Sequence, residues 1–296
     1  MLSIRPVLSL PLLLACSAGA PAPGRQADTA SGANGTDTAD TSDTTDTSDT
    51  AVPPLPATVL VEGIANLVDT VEAADGALYL AITGEGVYRH DGALALRLSN
   101  PSVAALAPGT EGGAYASTGA EIIEIDSGLA VAGPAEYRPG ALDVVATGAG
   151  DRLSFVGTHP RSGALGVYTV AAAGGAVADV GEGYDRLPSW IFRPQGETCW
   201  SIDAAGELWL VADGEDIASR MGTGLPSAGL AGNTDGTVLF LGGDTSIFAY
   251  DVAAGSLTER PVDLAGPILS VHRGQSGLVV TTATAAYRVD LPVGDD

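Results

Sequence analysis

The stretch Ala77-Leu78-Tyr79-Leu80-Ala81-Ile82-Thr83-Gly84-Glu85-Gly86-Val87-Tyr88-Arg89-His90-Asp91-Gly92 decides the fold. It reads as two apolar runs separated by one turn and closed by another. Glycine supplies the positive φ such turns need, and Asp91 before Gly92 can bond back to the turn backbone. The ending, an aromatic or branched apolar residue followed at the third position by Asp, recurs along the chain. Tyr88-x-x-Asp91, Ile123-x-x-Asp126, Phe248-x-x-Asp251 and Tyr287-x-x-Asp290 share it. Tyr168 and Trp209 hold the same place in two further copies, with Ala171 and Ala212 where the Asp would be. The turn glycines Gly76, Gly112, Gly150, Gly196, Gly236 and Gly277 step along by 36, 38, 46, 40 and 41 residues. A period of about 40 residues built from short strands predicts an all-β propeller of six four-stranded blades.

Working outward, the sixth copy has only three strands, Ile268–Arg273, Gly277–Ala283 and Ala285–Leu291. A spare apolar strand, Thr58-Val59-Leu60-Val61-Glu62, precedes the first copy. The two together make a complete blade, so the ring is expected to close by pairing the first strand with the last. Leaving that strand unpaired would expose a Val/Leu edge, which native proteins avoid. The propeller domain is thus expected over residues 57–292, with a short tail at 293–296.

The chain ahead of it cannot build a core. From Asp28 to Thr50 it is almost entirely Asp, Thr, Ser, Ala and Gly, including Asp40-x-x-Asp43-x-x-Asp46-x-x-Asp49. No large apolar residue offsets the entropy of ordering, so residues 17–56 read as a disordered tether. The spaced aspartates lack the Gly turn and terminal Glu of an EF-hand loop. A flexible chain of this length spans about 35 Å end to end, more if its charges repel.

Residues 1–16 read as a targeting segment. Arg5 supplies the positive flank, and the apolar stretch Val7–Ala15 is too short to span a bilayer and is interrupted by Pro11. Its end, Leu13-Leu14-Ala15-Cys16-Ser17, resembles the lipobox of bacterial lipoproteins. The resemblance implies cleavage before Cys16, acylation of that cysteine and membrane attachment through the lipid. Ser17, where an Asp would imply retention at the inner membrane, points to the outer membrane as the address in the cell envelope. The alternative is an ordinary signal peptide cut near Ala18-Gly19-Ala20.

Composition removes several functions. The chain carries 36 acids and 13 basic residues, all arginine, for a net charge of −23. Without lysine there is no P-loop lysine, Schiff base or Ser-Lys dyad. Such an acidic surface repels nucleic acid, which is discounted as a partner. His90, His159 and His272 stand apart in sequence, and no zinc or serine-hydrolase motif occurs. His159-Pro160-Arg161 reads as exposed loop. Cys199, alone in a strand, reads as buried core, and so do Trp190, Trp200 and Trp209.

In propellers, ligands bind at the mouths of the central channel. At the mouth where the inner strands begin, two of six positions pair a tyrosine with an arginine: Tyr137, Arg138 and Tyr184, Arg186. These four are the expected ligand-binding residues, because Arg can hold a carboxylate bidentately and stack on a ring. The period and strand pattern over residues 57–292 resemble the loose group of six-bladed propellers typified by NHL-repeat proteins and the gluconolactonase/SMP-30 family. The latter resemblance implies a divalent ion, such as Ca²⁺, held by Glu, Asn and Asp. Asn66, Asn100 and Asp185 are the residues at comparable places. The leading reading is a lipid-anchored envelope module, not an enzyme, binding an envelope protein or small ligand without a cofactor. The alternative is a metal-dependent lactonase or related hydrolase.

Overall fold

The computed structural model describes residues 53–147, 150–194, 198–212 and 215–292. Cys16, most of the expected tether and the tail at 293–296 lie outside them.

Among the described residues, twenty-four strands form six four-stranded antiparallel sheets, each a blade. Blade 1 is β2 (Leu67–Glu72), β3 (Leu78–Ile82), β4 (Gly86–His90) and β5 (Leu94–Leu98), laid side by side in chain order. Blades 2 to 5 repeat this order. Their innermost strands are β6 (Ala105–Pro108), β10 (Leu142–Thr147), β14 (Trp190–Phe192) and β18 (Leu230–Gly232). Blade 6 breaks it. Its β22 (Ile268–Arg273), β23 (Leu278–Thr282) and β24 (Ala285–Val289) are followed by β1 (Ala57–Glu62), in the order β22-β23-β24-β1. Ala57 faces Val289 and Glu62 faces Ala285, so the first strand completes the last blade, as the strand count requires. Leu55 bridges Val262 and donates its N–H to Pro261 O, so the end of the segment expected as tether already belongs to the rim.

The recurring turn glycines are explained by their backbone. Gly76, Gly112, Gly150, Gly236 and Gly277 all have positive φ, between 72° and 109°. Gly196 lies outside the described residues. At Gly277 a Cβ would also stand 2.3 Å from Val289 O, so both the torsion and the close strand approach demand glycine.

The core is a ring of six apolar seams, one between each pair of neighbouring blades. Between blades 1 and 2 lie Val71, Tyr79 and Val87 against Leu106, Ala116 and Ile125. Between blades 2 and 3, Ile122 meets Leu153, Phe155 and Tyr168. Tyr184, Cys199 and Trp209 fill the seam between blades 3 and 4, and Trp200, Leu208, Leu239 and Tyr250 the next. Each large buried side chain contributes about 1.5–3 kcal/mol, so every seam is a substantial share of stability. This is why the second strands, such as β3 and β23, are buried along their whole length.

The seam between blades 6 and 1, which joins the two ends of the domain, adds polar ties to its apolar residues. Arg288 pairs with buried Glu72. Gln275 donates to Ala73 O and Ala74 O, each at 2.8 Å, and its N–H reaches Glu72 Oε2 at 3.1 Å. His272 meets Asp69 at 2.7 Å. Strongly paired polar groups at a junction whose halves lie far apart in the chain specify one register of closure.

One expectation fails locally. His159 is half-buried, not an exposed loop residue. Its ring packs against Tyr137 and Tyr168 at 5.8 and 6.4 Å, and its Nδ1 accepts the N–H groups of Arg161 and Ser162. The aromatic seam beneath the turn draws it in.

Candidate functional site at the channel

The six innermost strands surround the channel axis, but each belongs to a different sheet. Their channel-facing N–H groups therefore have no ladder partner across the axis and need side-chain acceptors. Two aspartates serve in the same way. Asp69 on β2 accepts the N–H of Thr70 through Oδ1 and that of Leu106, in blade 2, through Oδ2, each at 2.9 Å. Asp143 on β10 accepts the N–H of Val144 at 2.9 Å and that of Arg193, in blade 4, at 2.7 Å. Each carboxylate thus joins its own blade to the next.

His272 completes the centre. Its Nε2 lies 2.7 Å from Asp69 Oδ1, and its ring stands edge-on to Trp190 at 5.8 Å. Trp190 is fixed by a 3.0 Å bond from Nε1 to Ser227 O. Burial would pull the imidazole down in pKa, but the Asp69 carboxylate, with Asp143 further off, holds it above its ordinary value. Burial likewise opposes the charge on Asp69, and the imidazolium outweighs it, so Asp69 titrates low. Asp143 behaves differently. Burial pushes it up to about 6, against its two N–H donors and the charges of His272 and Arg193. Arg193 is only 5% exposed, and its Nη1 is 3.2 Å from Ser154 Oγ.

Above this floor, at the trailing mouth where the inner strands end, a cavity of about 300 Å³ opens. Glu72, Asp143, Arg193, His272 and Arg273 line it with Pro108, Ile191, Phe192 and Leu230. A smaller cavity of about 190 Å³ adjoins it and shares Val144, Phe192, Arg193 and Arg273. The combination of a concave apolar wall and a few converging charges is what small-molecule sites have in common.

The residues singled out at the leading mouth are placed as follows. Tyr184 is buried, its hydroxyl 3.1 Å from Ser201 Oγ and its ring against Trp209 at 5.5 Å. Tyr137 is half-buried in a cluster with Phe155, His159 and Tyr168. Arg138, left-handed with φ 52°, and Arg186 are exposed. Arg138 borders a rim recess of about 320 Å³ with Glu136, His159 and Pro160. Among the described residues no hydrogen bond, ion pair or ring contact joins any two of the four.

The residues singled out for a divalent ion are placed as follows. Asn66 and Asp185 are exposed, and Asn100 Oδ1 already accepts the Ser102 N–H at 2.9 Å. Calcium asks for six to eight converging oxygens. The one group of three His, Cys, Asp or Glu ligand atoms that converge among the described residues is His159, Asp179 and Glu182, within 4.8 Å of one another on blade 3. There, Nδ1 of His159 accepts two backbone N–H groups, so its lone pair is committed and the proton sits on Nε2. A metal at Nε2 would force an N–H at Nδ1 against those two donors.

Sequence reasoning missed Asp69, Asp143 and Phe192, and it saw His272 only as an isolated histidine. The available signal was a charged residue inside an innermost apolar strand, as in Leu67-Val68-Asp69-Thr70-Val71 and Ala141-Leu142-Asp143-Val144-Val145.

No protein-family model and no characterised protein sequence matches the chain. Solved structures do. A gluconolactonase from Xanthomonas campestris superposes with a TM-score of 0.60 at 16% identity, covering 82% of this chain and 96% of that one. A carbohydrate-active enzyme of family AA12 from Trichoderma reesei gives 0.54 at 13%, covering 80% and 98%. Virginiamycin B lyase from Staphylococcus aureus gives 0.53 at 11%, covering 80% and 99%. At these identities the likeness is one of fold, and the chain is a six-bladed β-propeller with structural neighbours of gluconolactonase and virginiamycin B lyase type.

Proposed function

We propose that this protein is a lipid-anchored module of the cell envelope that holds a ligand in the trailing-mouth cavity without transforming it. The observation that carries the reading is the pair of joined cavities over the Asp69–His272 floor. The charged groups of that floor are already committed to one another and to backbone N–H groups, an arrangement suited to presenting a fixed field. Cys199 supports the same reading, because burial pushes its thiol up to about 12 and makes it a poor nucleophile. The Leu13–Ser17 segment supplies the anchor and the outer-membrane address, and the acidic tether the reach.

The test is ligand capture from an extract of the native envelope, with mass spectrometry of what co-purifies. Ala74 is exposed at the cavity's edge, so Ala74→Trp narrows the mouth without entering a seam. Wild type is expected to retain a ligand that Ala74→Trp loses, and the double change of Arg138 and Arg186 to Ala is expected to retain it. Loss in the double variant alone would move the site to the leading mouth.

A second reading, a lactonase or related hydrolase, is favoured by the likeness to the Xanthomonas campestris gluconolactonase. Turnover of a lactone that stops with chelator would replace the binding reading.

A further inference from the structure

Phe192 is the aromatic side chain that the two cavities share. It stands on β14, the innermost strand of blade 4, and is only half-buried. It packs against the apolar seam of Trp200, Leu208 and Leu239. Its ring also reaches across to blade 5 and rests against Gly232, the last residue of β18. A Cβ at Gly232 would lie 2.3 Å from Phe192 Cε1 and 2.9 Å from Cδ1 and Cζ. Gly232 does not have positive φ, so the ring, and not the backbone, demands glycine there. Glycine in a strand weakens it and marks a close approach. Here the strand makes room for an aromatic ring that borders both cavities.

The charged groups at the cavities, by contrast, all have partners. Glu72 pairs with Arg288 and takes the Gln275 N–H, and Asp143 takes two N–H groups. His272 meets Asp69, and Arg193 and Arg273 are each engaged as well. Asn233 is committed too, its Oδ1 accepting the Val238 N–H and its Nδ2 donating to Thr237 Oγ1. Among the described residues, no charge that lines the cavities is set aside for a ligand. A charged ligand would leave water for a recess with no counter-charge waiting, which is costly. An uncharged ring would lie along Phe192, with Ile191, Leu230 and Pro108 beside it.

We propose that the joined cavities bind a small uncharged molecule with an aromatic ring, that Phe192 is the residue selecting the ring, and that Gly232 positions Phe192. The size suits such a ligand. About 300 Å³ is the low end of small-molecule pockets. The smaller cavity, about 190 Å³, already exceeds the roughly 150 Å³ in which an apolar cavity takes up benzene. The proposal rests on the reading that the trailing cavity is the ligand site.

The test uses the full chain and four probes of nearly one size, each titrated calorimetrically: 2-phenylethanol, 2-cyclohexylethanol, phenylacetate and 2-phenylethylamine. The aromatic alcohol is expected to bind about two- to tenfold more tightly than the saturated one, the worth of one aromatic pair. The acid and the amine should each bind at least about tenfold more weakly than 2-phenylethanol, because their charge finds no partner. Phe192→Leu keeps an apolar wall without the ring. It should erase the preference for 2-phenylethanol and leave 2-cyclohexylethanol nearly unchanged, which also reports that the variant is folded. Gly232→Ala should erase the same preference by unseating the ring. Added to Phe192→Leu it should change little further, since leucine lacks Cε1 and Cζ, and a full further loss would remove the positioning role. Equal binding of the two alcohols, or a preference that survives Phe192→Leu, overturns the aromatic proposal. Acid or amine binding as tightly as 2-phenylethanol overturns the choice of an uncharged ligand. In either case, sensitivity of the bound probes to Ala74→Trp would leave the cavity reading standing. Binding of 2-phenylethanol untouched by Ala74→Trp would end both, and failure of all four probes to bind would end the ligand class proposed here.

Discussion

Replacing Asp143 by Asn tests the electrostatics of the channel floor. The folded chain holds this carboxyl at about 6 against an ordinary 3.8, so ionising it costs the folded state. The sign follows from proton linkage. A group whose folded pKa is raised contributes stability that is fully present below its unfolded pKa and lost as pH rises through its folded one. The window is therefore about pH 4 to 6.5. A shift of two units corresponds to about 3 kcal/mol at most, at about 1.4 kcal/mol per unit. Asp143 is only half-buried, and solvent screening lowers the expectation to about 1–2 kcal/mol. For a domain of this size that is about 2–8 °C in Tm. The constant cost of losing one acceptor, for the N–H of Val144 or of Arg193, appears at every pH. The quantity to follow is thus the difference between wild type and Asp143→Asn, by urea denaturation from pH 4 to 7. Wild type should lose about 1–2 kcal/mol relative to the variant across that range. A difference that is flat, or that moves the other way, would show that Asp143 is not held in the environment described.

A chain starting at Asn66 lacks β1 and leaves β24 with a bare edge; its Tm should drop by several degrees, and undiminished stability would contradict the closure. Asp69→Asn or His272→Gln alone strands one half of a buried pair and should cost about 3–5 kcal/mol. The double variant should cost less than the sum by about 1–3 kcal/mol, and strict additivity would refute the pairing. Cys16→Ala should move the protein from the detergent phase to the aqueous phase in a partition assay, and unchanged partition would remove the lipid anchor from the proposal.

The fold was readable because propeller geometry is repeated six times in local signals. Turn glycines with positive φ, an aromatic or branched apolar residue before the third turn and a missing strand at one end are all short-range features, and the structure matches them among the described residues. The channel was far less readable. Asp69, Asp143 and His272 come together only through ring closure, and each is a single polar residue in an apolar strand. Tyrosine beside arginine at a strand's beginning looked like a binding pair, yet in Tyr184-Asp185-Arg186 the tyrosine turns into the seam with Trp209 while the arginine stays in solvent. Sequence adjacency cannot tell on which side of a strand's start a ring will pack. Trp200 and Trp209 were legible as core for the opposite reason, since they sit inside regular strands of a blade that neighbouring blades cover on both faces, whereas Trp190 is only half-buried.

Amide chemical-shift mapping of the isotopically labelled protein, saturated with the ligand it captures, decides where the site is. If the trailing cavity is that site, the shifts should concentrate at Arg193, Gly232, Thr234, Arg273, Gly274 and Gln275. Shifts confined to Arg138, Gly140, Gly163 and Arg186, with the trailing turns unmoved, would contradict it.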